Sequence, residues 1–256
     1  MNTVCGVQIV KNGLKYDYCF EESIKSMLGC CDHVVVAYVV SEDATLSVLK
    51  GLVDKNPDKI TLIILSEDDW NFYQDKHRLA YITNAAIQQA DKMGFTYILS
   101  VQSDEVIHED SYDAIRRIVA KGEHDAYMCT RINLWKTPYL ELNVPNERMP
   151  CSKYVIRLAR ACYRTYDDAE SFHAPATFDY IEEIVMYHMG FVRRREVMKS
   201  KIINMQCGVF GMKDYDKKLD ECDVFNPDLW FDMVRDLKPI EQELPKLIKR
   251  WAYERR

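Results

Sequence analysis

Through the first hundred residues, short β-branched runs alternate with longer stretches whose apolar residues recur every three or four positions. Val4–Val10, the valine-rich His33–Val40 and Lys59–Leu65 read as buried strands, and Tyr97–Val101 as a fourth. Between them, Tyr18–Leu28 has helical spacing at Phe20, Ile24, Met27 and Leu28. Ser41-Glu42-Asp43-Ala44-Thr45 is a helix-start signal with acids suited to a first turn, ahead of Leu46–Val53, and Lys76–Met93 makes a long helix. Strands alternating with helices predict a parallel, doubly wound α/β sheet with right-handed crossovers.

After His108 the alternation loosens. Tyr112–Ala120 reads as a helix, Ala126–Leu134 and Tyr154–Ala161 as strands, and Asn143–Pro150 as a proline-containing loop. Ile181–Tyr187 fits a strand ending near His188. From Val197 the pattern turns helical, with Pro227, Pro239 and Pro245 punctuating short helices, and Lys246–Arg256 closes as an amphipathic helix. The expected organisation is one domain over 1–200, split near 110, with a helical extension over 201–256 packed on it.

Composition narrows the class. A chain of 256 residues, 48% hydrophobic with nine glycines, is a packed globular protein. A net charge of −6 disfavours nucleic-acid binding through overall charge, though not through a local groove built from Arg157, Arg160, Arg164 and Arg193–Arg195. Nine cysteines without a C-x-x-C pair suggest buried thiols in a reducing cytoplasm. No apolar run approaches the roughly 20 residues of a spanning helix.

The chemistry concentrates where Tyr97–Val101 ends on Gln102-Ser103-Asp104-Glu105. Acids at the C-terminal edge of a parallel strand lie where open α/β sheets bind ligands, and they suit a divalent cation bridging phosphates. Asp104 could instead cap a helix. Downstream, His188 and Gly190 precede Arg193, Arg194, Arg195 and Lys199, and guanidinium groups match phosphate geometry.

Several passages together resemble a family 2-type glycosyltransferase of the GT-A fold, of a bacterial and phage subgroup. They are Gly6–Gly13, Tyr16–Tyr18, Glu22–Ile24, Val34–Val36, Ser41–Thr45, Val101–Asp110 and Tyr187–Gly190. The resemblance implies a Rossmann-like, mostly parallel sheet flanked by helices. It implies that Asp104, helped by Glu105 and the late His188, holds Mn²⁺ or Mg²⁺ on a donor diphosphate, although Gln102 stands where the family has an acid. It further implies a nucleotide site drawn from Gln8, Lys11, Asn12, Glu42, Asp43, Asp69, Arg78, Ser103 and Arg193, with Lys76 and His77 competing for the role of Arg78.

An inverting transfer needs a carboxylate base near the acceptor hydroxyl. Asp168 is the candidate, with Glu170 and Asp167 in reserve. Trp70, Trp135 and Tyr139 are candidate stacking residues. The expected function is transfer of a sugar from a nucleotide donor, a UDP-sugar by resemblance, to a glycan or to a hydroxymethylated pyrimidine in phage DNA. The alternative is a non-catalytic nucleotide-binding or scaffold protein that keeps the fold and has lost the chemistry.

Overall fold

The computed structural model describes residues 2–143, 152–213, 219, 223–226 and 236–254. Its first half follows the hydrophobic pattern closely. Strands β1 (Val4–Val10), β2 (His33–Val39), β3 (Ile60–Leu65) and β4 (Tyr97–Ser100) are parallel in the order β3-β2-β1-β4. Every residue of β2 is buried, as a strand covered on both faces must be. Helices α1 (Phe20–Cys30), α2 (Thr45–Lys55) and α4 (His77–Lys92) connect the strands, and a short α3 (Glu67–Asn71) precedes α4. The pattern does not reveal α3, which is held by a reciprocal cap between Ser66 and Asp69.

The second half adds antiparallel strands to the same sheet. Beyond β4 lie β8 (Tyr154–Arg160), β6 (Ala126–Trp135), β7 (Thr137–Asn143) and the edge strand β10 (Asp236–Pro239). A further strand, β9 (Phe178–Phe191), runs parallel to β6 and antiparallel to the three-residue β5 (Glu105–Ile107). Two sequence expectations and one alternative reading are corrected here. β9 does not end near His188 but continues to Phe191, because His188 pairs with Glu105 on one side and Asn133 on the other. β5, not a helix, follows Asp104. The tail is not purely helical: Pro239 sits in β10, where an edge strand tolerates the missing N–H. The expected loop at Asn143–Pro150 and the break at Pro227 lie largely or wholly outside the described residues.

Helix α5 (Tyr112–Lys121) packs beside α1, and α6 (Arg195–Ile203) runs into a π-helical turn over Asn204–Val209. The closing helix α7 (Lys246–Glu254) buries Ile248 and Trp251 against Val106, Tyr187 and Met189. Among the described residues, five cysteines are buried and none is bridged. Among the described residues, no helix is long and apolar enough to cross a membrane. Gly29 of α1 lies against the Tyr112 ring, which a Cβ there would run into. Gly29→Ala should therefore destabilise the fold by about 1–3 kcal/mol despite better helix propensity, read as a lower urea midpoint with an unchanged slope.

Candidate functional site

The C-terminal edge of the parallel strands opens into a cavity of about 530 Å³. Of the sequence-predicted residues, Gln8, Lys11, Asn12, Ser103, Asp104, Asp168, Glu170 and His188 line it. Backbone-directed hydrogen bonds fix the floor. Gln8 donates to Ser23 Oγ and to the Gln102 carbonyl at 3.3 Å, and Ser103 Oγ donates to the Ile9 carbonyl. The turn after β4 is thereby tied to the end of β1.

Asp104 is buried among cations. Its Oδ2 accepts from Lys201 Nζ at 3.0 Å and from Arg193 Nη2 at 3.2 Å, while Oδ1 lies 3.8 Å from His188 Nε2. Burial alone would raise its pKa, but Lys201, His188 and Arg193 outweigh that and hold the carboxyl far below the ordinary range. His188 Nδ1 meets Asn133 Oδ1 at 2.9 Å. With that nitrogen donating, Nε2 presents a lone pair toward Asp104. Burial, with help from Arg131 and Lys201, lowers the imidazole pKa to about 4 despite Asp104 and Glu105, so His188 is neutral at pH 7. Gly190 makes room for the ring: a Cβ there would strike the His188 imidazole.

Glu105 points elsewhere. Its Oε1 takes Arg157 Nη2 at 2.6 Å, with Arg131 Nη1 at 3.6 Å, and all three side chains are at most 1% exposed. The two arginines continue to the loop after β8. Arg131 Nη1 reaches Glu170 Oε2 at 2.7 Å, and Arg157 Nη1 donates to the Glu170 carbonyl at 3.0 Å. Gln102 completes the ring, donating from its side chain to Glu170 Oε1 at 3.1 Å while its backbone N–H donates to Glu105 Oε2 at 3.0 Å. An acid at position 102 would set a carboxylate against Glu170. The departure from the family pattern thus has a local use.

The two candidate bases are pushed apart. Glu170 is held down to about 2, because Arg131, Arg157 and His188 outweigh its burial. Asp168 is raised by burial and by the neighbouring Glu170 charge, and it accepts from the Glu170 N–H at 3.2 Å. The loop is strained around it, with Asp167 at φ 56° and Ala169 at φ 62°.

The remaining candidates for the nucleotide site lie off the cavity wall. Asp43 Oδ1 accepts the Thr45 N–H at 3.0 Å at the start of α2, and Glu42 pairs with Lys15. Asp69 is engaged in the α3 cap. Arg78 is buried with its guanidinium 5.2 Å from the Trp70 ring centre, and Arg193 lies beneath Asp104. Trp70 lines the cavity, whereas Trp135 is core, stacked on Phe191 at 4.3 Å. The expected basic groove is dispersed. Arg157 and Arg193 are buried, and Arg160, Arg164, Arg194 and Arg195 pair with Asp125, Asp91, Asp17 and Asp223.

Sequence reasoning missed the wall formed by Met198, Lys201, Ile202 and the π-helical turn. A helical signal was present: Lys201 follows Val197 by four and Met198 by three, placing it on the buried stripe that Lys199 leaves. Its ammonium also stands 5.3 Å from the Tyr18 ring centre. Single-turn π segments recur at functional sites.

No family model matches the chain, and comparison with curated protein sequences gives no match. Among solved structures, S. aureus TarS 1–349 in complex with UDP superposes with a TM-score of 0.50 at 15% identity, over 90% of this chain and 72% of that one. The fold is GT-A. The UDP-GlcNAc complex of TarS 1–349 gives a TM-score of 0.48 at 15% identity, covering 90% of this chain and 73% of its own. A longer S. aureus TarS structure gives 0.49 at 16% identity over 80% of this chain, which spans 40% of that chain's length. Within the GT-A sheet, the cavity occupies the edge where the parallel strands end.

The arginine ring makes two stability predictions. Arg157→Met strands Glu105 in the core and should cost about 3–5 kcal/mol in denaturant unfolding. Glu170, depressed from its ordinary value to about 2, adds stability that is complete above about pH 5 and is lost as pH falls through 4 toward 2. Glu170→Gln should flatten that acid limb in a pH series of melting temperatures.

Proposed function

We propose that this chain is a glycosyltransferase that moves a sugar from a nucleoside-diphosphate donor to an acceptor hydroxyl. The observation that carries the reading is the pairing, across one cavity, of Asp104 and His188 with Asp168. The first two present acceptor atoms 3.8 Å apart, and Asp168 is a carboxylate with a raised pKa. The UDP complex of TarS, a neighbour in fold, favours a UDP-sugar as donor.

In this reading a divalent cation would be held by Asp104 Oδ1 and His188 Nε2, Asp104 Oδ2 being taken by Lys201 and Arg193. Asp104 Oδ1 and the lone pair of His188 Nε2 face each other, and Asn133 fixes the imidazole as a neutral ligand. Among the described residues, no three His, Cys, Asp or Glu side chains gather around one point, so donor oxygens and water would complete the shell. Such an ion would supply positive charge for the departing diphosphate. Glu105 takes no part as a ligand in this reading, since its carboxylate is committed to the arginines.

The chain's own groups divide the remaining work. Lys201 and Arg193 add fixed positive charge beside the site of the leaving group, where electrostatic stabilisation counts most. Asp168 accepts the proton of the acceptor hydroxyl as its oxygen attacks the anomeric carbon and the diphosphate departs from the opposite face. Glu170 is too acidic for that role and serves to position Asp168. Gln8, Lys11 and Asn12 close the nucleoside end.

Calorimetry with UDP, GDP, CDP and dTDP, with and without Mn²⁺, is the direct test. UDP should bind best and more tightly with Mn²⁺, and Asp104→Asn should erase the metal's contribution. Asp168→Asn should leave UDP binding intact and slow transfer by about 10²–10⁴-fold. Silence with every nucleotide from folded protein would replace this reading by the scaffold.

A further inference from the structure

Four aromatic side chains gather on the surface between α3 and α4, outside the cavity, and the proposed chemistry makes no use of them. Phe72 and Tyr81 stack with ring centres 5.0 Å apart and planes 15° from parallel. Tyr73 sets its edge to both, at 5.1 Å from Phe72 and 5.7 Å from Tyr81, and His77 lies 6.2 Å from Tyr73. Phe72 is 67% exposed and Tyr73 42%. Tyr81 rests on the core beneath α4, so the cluster has a rigid base. Clustered exposed rings of this kind mark interaction surfaces.

Two contacts join the cluster to the candidate site. Trp70, two residues before Phe72, lines the cavity. Lys76 Nζ donates to Asp167, and His77 Nδ1 lies 3.6 Å from Asp167 Oδ1. Asp167 immediately precedes Asp168, so the aromatic surface, the cavity mouth and the proposed base are neighbours.

Charge selects the occupant. Glu67, Asp68 and Asp69 stand on α3 and Asp75 beside His77; Lys11 pairs with Glu67, Lys76 is engaged by Asp167 and Arg78 is buried, which leaves acids in excess. Phosphates of a nucleic acid would meet net negative charge there, the reverse of what their binding requires. A sugar ring suits the surface: its C–H face covers aromatic carbon, and its hydroxyls can donate to carboxylates such as Asp68 and Asp75. We propose that this platform binds the glycan chain carrying the acceptor hydroxyl, leading it to Asp168. The proposal rests on the glycosyltransferase reading for the word acceptor, but not for the binding itself.

The test is a glycan array probed with the full chain in the absence of nucleotide, beside the Phe72→Ala/Tyr73→Ala double variant. The wild type should bind oligosaccharides, and the double variant should bind them at least about tenfold more weakly with its melting temperature and UDP affinity unchanged. No glycan bound, or equal binding by the variant, overturns the proposal. Competition by single-stranded oligothymidylate that depends on the same two residues, or wild-type self-association lost in the variant, overturns it as well. UDP affinity is read separately, so a failed donor site and a failed platform give different results.

Discussion

Three buried side chains hold the site in register. Glu105, Arg157 and Arg131 come from β5, β8 and β6, and each would be a severe cost alone in the core. Together they satisfy one another and carry the charge outward to Glu170. Their geometry couples the turn after β4 to the loop holding Asp168, two segments more than sixty residues apart. An apolar trio of the same volume could be as stable. It could not aim the Glu170 carboxylate or the backbone that bonds Asp168.

The same arrangement sets the acids apart electrostatically. Carboxylates facing guanidinium or ammonium groups, Asp104 and Glu170, stay ionised far into acid. Asp168 faces burial and a like charge, and its carboxyl is raised above the ordinary value. Two acidic residues separated by only Ala169 are therefore chemically unlike, and the difference lies in what the arginines reach.

The N-terminal half was legible because its strands are covered on both faces and its helices on one, which leaves clear periods of apolar residues. Asp104, His188 and Asp168, all of which line the cavity, could be picked out as polar residues at strand ends and in an acidic loop. Glu105 could not be separated from Asp104, since adjacency in sequence says nothing about opposite faces of a turn. The burial of Arg157 and Arg193 was invisible too, because an arginine reads as surface until its carboxylate is located. β5, β7 and β10 are too short or too polar for a period to register. Lys201 was hidden in a helix whose charges surround its apolar stripe.

Gly190 gives the late His-x-Gly a meaning apart from ligation. Residues two apart on a strand share a face, so the side chain that Gly190 lacks leaves the space in which the His188 ring lies. The imidazole is oriented by a void as much as by Asn133. The motif is thus a record of shape: the histidine is recognisable in the sequence through the neighbour that has been emptied for it.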